Sequence, residues 1–156
     1  MYKFTMDFNY GGGAKQNIGH IINKFGVPNT IIEIGVFEGG TTFWLSDELT
    51  KHNPNLKIYA IDPHVGSNDM TEDPVEIHQN FLHNLSINQY KNVEYIRKHS
   101  ENGLIDLIND GVRAELIYVD GDHKASEVLT DLVLSFKLLV TGGVMLCDDA
   151  GDWQYP

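Results

Sequence analysis

Aspartates stand at the ends of two short apolar runs in the second half of this chain. Asp120 and Asp122 follow Leu116-Ile117-Tyr118-Val119, and Asp148 and Asp149 follow Val144-Met145-Leu146-Cys147. If the two runs are neighbouring strands, four carboxylates share one crevice. Like charges that close repel by kilocalories unless a cation or a proton intervenes. A ligand set made only of oxygen suits Mg²⁺, Mn²⁺ or Ca²⁺ rather than zinc. Each aspartate taken singly also fits a plainer role, capping the turn or helix that follows it.

A second constellation lies in the first half. Glu33-Ile34-Gly35-Val36-Phe37-Glu38-Gly39-Gly40 reads as a strand running into a glycine turn and then a helix. Such a turn brings backbone close to a ligand. The G-x-x-x-G spacing differs from the G-x-G-x-x-G of dinucleotide binders. Glu38, inside the turn, would repel a pyrophosphate, so a cationic or zwitterionic ligand fits better. Downstream, Ala60-Ile61-Asp62-Pro63-His64 ends a further apolar run in an acid. That acid is placed to accept the hydroxyls of a ribose, although Asp-Pro also initiates turns.

The elements that must position these residues alternate. β-branched runs at Thr30–Ile34, Lys57–Ile61, Val93–Arg97, Leu116–Val119 and Val144–Cys147 predict five strands. Helical stretches at Gln16–Phe25, Thr41–Leu49, Glu76–Ile87, around Leu104 to Ile108, and at Glu127–Leu139 lie before and between them. The alternation predicts an α/β fold, a doubly wound and mostly parallel sheet with helices on both faces. Ligands in such sheets sit beyond the carboxyl ends of the strands. Four of the five predicted strands end in or next to an acid: Glu33, Asp62, Asp120 and Asp148.

Composition sets bounds on function. The 156 residues are 42% hydrophobic and 21% charged, which predicts one globular domain, 1–156. Cys147 is the single cysteine, so a disulfide framework within the chain and a cysteine-rich zinc site are excluded. Asp plus Glu number 22 against 11 Lys plus Arg, a formal charge of −11. A surface this acidic is repelled by nucleic acid and by anionic membrane. No apolar run approaches the length of a membrane span, and Met1 to Gly13 lacks the layout of a secretion signal. A cytoplasmic protein is the expectation. His20, His52, His78 and His83 lack ligand spacing and read as packing or surface residues. Trp153 and Tyr155 could wall a pocket or merely pack. The stretch from Gly66 to Asp73 reads as a loop that could act as a lid.

The combination E-x-G-x-x-x-G, I-D-P, V-D-G-D-H and G-G-V-x-x-x-D-D resembles the class I S-adenosylmethionine-dependent methyltransferases. The pattern is most similar to the branch of metal-dependent O-methyltransferases that act on catechols, caffeoyl-CoA and macrolide sugars. It runs from Thr30 to Asp149, most of the chain. The resemblance implies that Glu33, Gly35 and Gly39 hold the methionine end of S-adenosylmethionine. It implies that Asp62 binds the ribose, and that Ser100 lies near the adenine. Asp120 is implied as first metal ligand and as part of the cofactor site. Asp148 and Asp149 are implied as the other ligands of a divalent cation, Mg²⁺ foremost. Where the catechol type carries a lysine three positions after the first ligand, this chain has His123. Histidine is a competent base near neutral pH, with Asp122 as its neighbour or its substitute.

The implied activity is methyl transfer to a hydroxyl of a small-molecule acceptor. The family sheet has seven strands, the last two an antiparallel hairpin, and this chain offers only five; it reads as a minimal or a truncated version. A bare sheet edge invites a homo-oligomer. Two rivals stand beside the enzyme: a cofactor-binding module or partner subunit without catalysis, and a nicotinamide oxidoreductase, against which the glycine spacing speaks.

Overall fold

The computed structural model describes residues 1–5, 14–66 and 71–148. The chain alternates as α1 (Ala14–Phe25), β1 (Thr30–Ile34), α2 (Gly40–Leu49), β2 (Lys57–Ile61), α3 (Pro74–Ile87), β3 (Val93–Ile96), α4 (Ser100–Asn109), β4 (Ala114–Val119), α5 (Ala125–Leu138) and β5 (Leu139–Cys147). The five strands form one sheet in the order β3-β2-β1-β4-β5. All four pairings are parallel. This is the doubly wound α/β fold that the alternation predicts. No helix among the described residues is long and apolar enough to cross a membrane.

Strand side chains divide by parity between two cores. Ile31, Ile58, Leu116 and Tyr118 face α1 and α2, where Ile18, Trp44, Leu45 and Leu49 complete a buried cluster. Ile32, Ile34, Ile117 and Val119 face the other way, onto Leu104 and Leu107 of α4 and Leu138 of α5. A third cluster of Phe43, Ala60, Phe81 and Tyr90 seats α3 on the first face. The winding therefore reverses between β1 and β4. In open α/β sheets the crevice at such a switch point is where ligands bind.

Two elements depart from the sequence reading. β5 begins at Leu139, five residues before the predicted Val144. Its register against β4 shifts between Ala114 and Leu116, which absorbs Gly142 and Gly143 into the strand instead of a turn. α5 buries Asp131, Ser135 and Leu138 and turns Leu129, Val133 and Phe136 outward. Much of its apolar pattern therefore lies on the exposed face, while two polar residues face inward. Cys147 is half-buried, and burial pushes its thiol pKa up.

Candidate functional site

A cavity of about 620 Å³ opens at the carboxyl ends of β1, β2 and β4. Glu33, Gly35, Asp62, Ser100, Asp120, Asp122 and His123, all candidates from the sequence, lie on its wall. Gly39 does not. It caps α2 with φ +83, and a Cβ there would fall 2.1 Å from the ring of Phe43. Its glycine is needed for the turn and for packing against Phe43, and its neighbours Gly40 and Thr41 meet the cavity instead. Asp148 follows β5 and is not on the cavity wall, and Asp149, Trp153 and Tyr155 lie outside the described residues.

Gly35 is the tightest point. Its φ is +79, and a Cβ would sit 1.9 Å from the carbonyl oxygen of Asp120. Its N–H donates to Ile61 O at 2.9 Å, and Asp120 N–H donates to Ile34 O at 2.9 Å. The ends of β2, β1 and β4 are thus tied together where the cavity begins.

The carboxyls of the first turn are anchored inward. Asp62 Oδ2 accepts the amides of Val36 at 2.9 Å and Phe37 at 3.1 Å, and Oδ1 accepts that of His64 at 2.7 Å. Asp62 therefore reaches the cavity with both oxygens already shaping the loop. Glu33 is 1% exposed and accepts a hydrogen bond from Thr42 Oγ1 at 2.6 Å. Burial, reinforced by the charges of Asp120 and Asp62, pushes its pKa up to about 8. Glu38 corrects the sequence reading. It is fully buried and off the cavity wall, accepting the Thr5 amide at 2.8 Å and Asn80 Nδ2 at 2.8 Å. It cannot repel a ligand there, and the argument against pyrophosphate from its charge falls away.

The β4 side is arranged differently. Tyr118 donates its hydroxyl to Asp120 Oδ2 at 3.1 Å. Burial and the charges of Asp120 and Asp148 hold the Tyr118 phenol far above its ordinary range. Asp122 accepts from Lys124 N at 3.0 Å and from Lys124 Nζ at 2.9 Å, and the lysine holds its carboxyl below the usual range. Asp131 of α5 is buried, and that burial raises its carboxyl pKa, while Ser100 at the start of α4 partly offsets the rise. Among the described residues no three His, Cys, Asp or Glu side chains form a metal-binding group.

His64, Phe37, His99 and Asn102 also line the cavity and were not singled out from the sequence. His64 follows Asp62 and Pro63 in a motif quoted for its acid alone. Its importance comes from remote partners, Tyr95 and the carbonyl of Phe37, which no local pattern shows.

The doubly wound parallel sheet, with its cavity where the winding reverses, has the fold of the class I methyltransferases. Solved structures share that fold. A candidate caffeoyl-CoA O-methyltransferase from Staphylococcus aureus matches at TM-score 0.62 and 17% identity, over 85% of this chain and 55% of its own. An SAH-bound methyltransferase from Podospora anserina matches at 0.61 and 22%, over 86% and 50%. The TDP-rhamnose 3'-O-methyltransferase of calicheamicin biosynthesis matches at 0.58 and 15%, over 90% and 66%. The chain belongs to the methyltransferase domain family, whose pattern spans residues 32–150. An uncharacterized protein of Acanthamoeba polyphaga mimivirus is 26% identical over 134 residues, 81% of this chain and 53% of that protein. The chain thus spans about half the length of this relative.

Proposed function

We propose that the chain binds S-adenosylmethionine in the switch-point cavity and directs its methyl group to a hydroxyl oxygen of a small molecule in the cytoplasm. The observation that carries this reading is the cavity wall itself: backbone at Gly35, where no side chain fits, flanked by three carboxyls that suit a ligand bearing positive charge. The residues fit the cofactor. Glu33 and the Gly35 turn would hold its methionine end, Asp62 its ribose and Ser100 its adenine side. When bound, S-adenosylmethionine supplies an electrophilic methyl group on a sulfonium.

A divalent cation would be held by Asp120, Asp148 and Asp149. Support comes from the parallel pairing of β4 and β5, in which Val119 lies opposite Cys147 and Asp148 N–H donates to Val119 O at 2.9 Å, so that Asp120 and Asp148 follow adjacent strands. A cation there would draw two acceptor oxygens and lower the hydroxyl pKa. His123 is the better proton acceptor of the two candidates, because Lys124 occupies both oxygens of Asp122 and lowers its basicity. The acid balance of −11 favours a small-molecule acceptor over nucleic acid.

The test is calorimetric titration of S-adenosylmethionine with and without Mg²⁺, followed by acceptor screening with hydroxylated aromatics and sugars. Micromolar binding supports the cofactor reading, and a separate Mg²⁺ heat supports the aspartates. No binding in either buffer overturns the reading. The second reading is a binding module or partner subunit without turnover, for which the five-stranded sheet of the described residues, two strands fewer than the family pattern, is the supporting observation. Tight binding with no methyl transfer to any acceptor would select it. A homo-oligomer through the β5 edge belongs to the same proposal, and light scattering of the purified chain reads it.

A further inference from the structure

We propose that His64 is a positioning residue for this cavity: through the carbonyl of Phe37 it holds the turn in the left-handed conformation that gives the site its binding shape. The inference rests on the cofactor reading above.

Phe37 and His64 have φ of +50 and +51. Residues with a bulky side chain seldom stay in that region, because Cβ crowds the neighbouring carbonyl. Both line the cavity. Such strain persists where surrounding groups over-determine it, and it clusters at functional sites. Here the determining groups are visible. The Phe37 N–H donates to Asp62 Oδ2 at 3.1 Å, and the Phe37 carbonyl accepts from His64 Nε2 at 2.7 Å. The peptide groups on both sides of Phe37 are therefore fastened to the loop after β2. The His64 N–H donates in turn to Asp62 Oδ1 at 2.7 Å, so one carboxylate governs both left-handed residues.

The imidazole has one tautomer that fits. A carbonyl only accepts, so Nε2 carries a proton, and in the single-proton tautomer Nδ1 accepts. Its neighbour is the Tyr95 hydroxyl at 2.6 Å. Burial and the charge of Asp62 hold the Tyr95 phenol well above its ordinary range, so it keeps its proton, and the 2.6 Å contact to Nδ1 takes that proton in preference to the Asp62 carbonyl oxygen at 3.3 Å. His64 is 6% exposed and packs between the rings of His78 and Phe81, which leaves it no room to swing away. Tyr95 on β3 thus sets the His64 tautomer, His64 sets the Phe37 carbonyl, and Phe37 shapes the turn between Gly35 and Gly39. An apolar side chain of similar size would fill the same space but leave the carbonyl unheld.

The experiment is calorimetric titration of S-adenosylhomocysteine into the wild type, His64→Leu, His64→Gln and Tyr95→Phe, each at a temperature where circular dichroism shows it folded. His64→Leu should weaken binding about tenfold. His64→Gln, whose amide nitrogen can reach the Phe37 carbonyl, should stay within about threefold of wild type. Tyr95→Phe should fall between them. Wild-type affinity in His64→Leu overturns the proposal, and so does a His64→Gln as weak as His64→Leu, which would mean packing alone. If His64→Leu does not fold, unchanged affinity in Tyr95→Phe overturns it. Nitrogen NMR of the wild-type ring needs no ligand: a proton on Nδ1 rather than Nε2 also overturns it. A wild type that binds no S-adenosylhomocysteine sinks the cofactor reading instead, and the tautomer then tells whether the brace exists.

Discussion

At the ends of β1 and β2, Glu33, Glu38 and Asp62 are each turned onto donors of the protein itself: a threonine hydroxyl, a side-chain amide and backbone amides. At the ends of β4 and β5, Asp120 meets a tyrosine hydroxyl, Asp122 meets an exposed lysine, and Asp148 lies at the exposed end of its strand. The same residue types thus do opposite work. The first set is held by the protein itself, and its two members on the cavity wall, Glu33 and Asp62, stand organised before any ligand enters, which reduces the ordering that binding must impose. The second set keeps negative charge at the surface of the cavity and beside it, where a cation or a proton can respond to it. On the proposed function, the first half of the site grips the cofactor and the second carries the chemistry.

The comparison can be broken most forcefully at Gly35. Gly35→Ala should destabilise the fold by about 3 kcal/mol or more, since the new Cβ meets backbone and the residue has positive φ. Thermal melts and cofactor titration should both fail together. Asp62→Ala comes next. It strands three amides at the turn and should remove about 3 kcal/mol of stability along with most cofactor affinity. A variant that melts like the wild type would show that the first half is not braced as described.

Glu33 sharpens the contrast through pH. Its carboxyl has a raised pKa in the fold, so between the ordinary 4.5 and about 8 the native state binds more proton than the unfolded chain. Stability should therefore be greatest at the acid end of that window and fall as pH rises through it, by at most about 1.4 kcal/mol per unit. Urea melts across the window should show this slope, and Glu33→Gln should flatten it. The smallest effects on stability belong to the second half. Asp120→Asn and Asp148→Asn should each change it by less than about 1 kcal/mol, while abolishing any Mg²⁺ heat and any Mg²⁺-dependent methyl transfer. Large losses of stability there would erase the division between the halves.

Sequence reasoning reached the sheet because its signals are local. β1 and β2 are short β-branched runs closed by glycine or aspartate, and both were bounded correctly. The carboxyl-end rule then gathered Glu33, Asp62 and Asp120 without knowledge of their contacts. What escaped depends on partners far along the chain. Glu38 looked like a ligand-facing charge, yet its donors are Thr5 and Asn80. The helical stretch was bounded without its facing, and α5 turns Leu129, Val133 and Phe136 outward while burying Asp131 and Ser135. β5 was begun at Val144, where the apolar run starts, and only its pairing with β4 shows strand from Leu139 onward.

The first five residues carry a practical consequence. Lys3 exchanges two hydrogen bonds with Asn84, Thr5 caps the buried Glu38, and Phe4 reaches the cavity wall. The leading peptide is a clasp over the glycine turn, not a handle. Trimming it would strip the buried Glu38 carboxyl of its backbone donor and leave it Asn80 alone. Anyone engineering this protein for immobilisation or fluorescent labelling should leave Met1 to Thr5 intact.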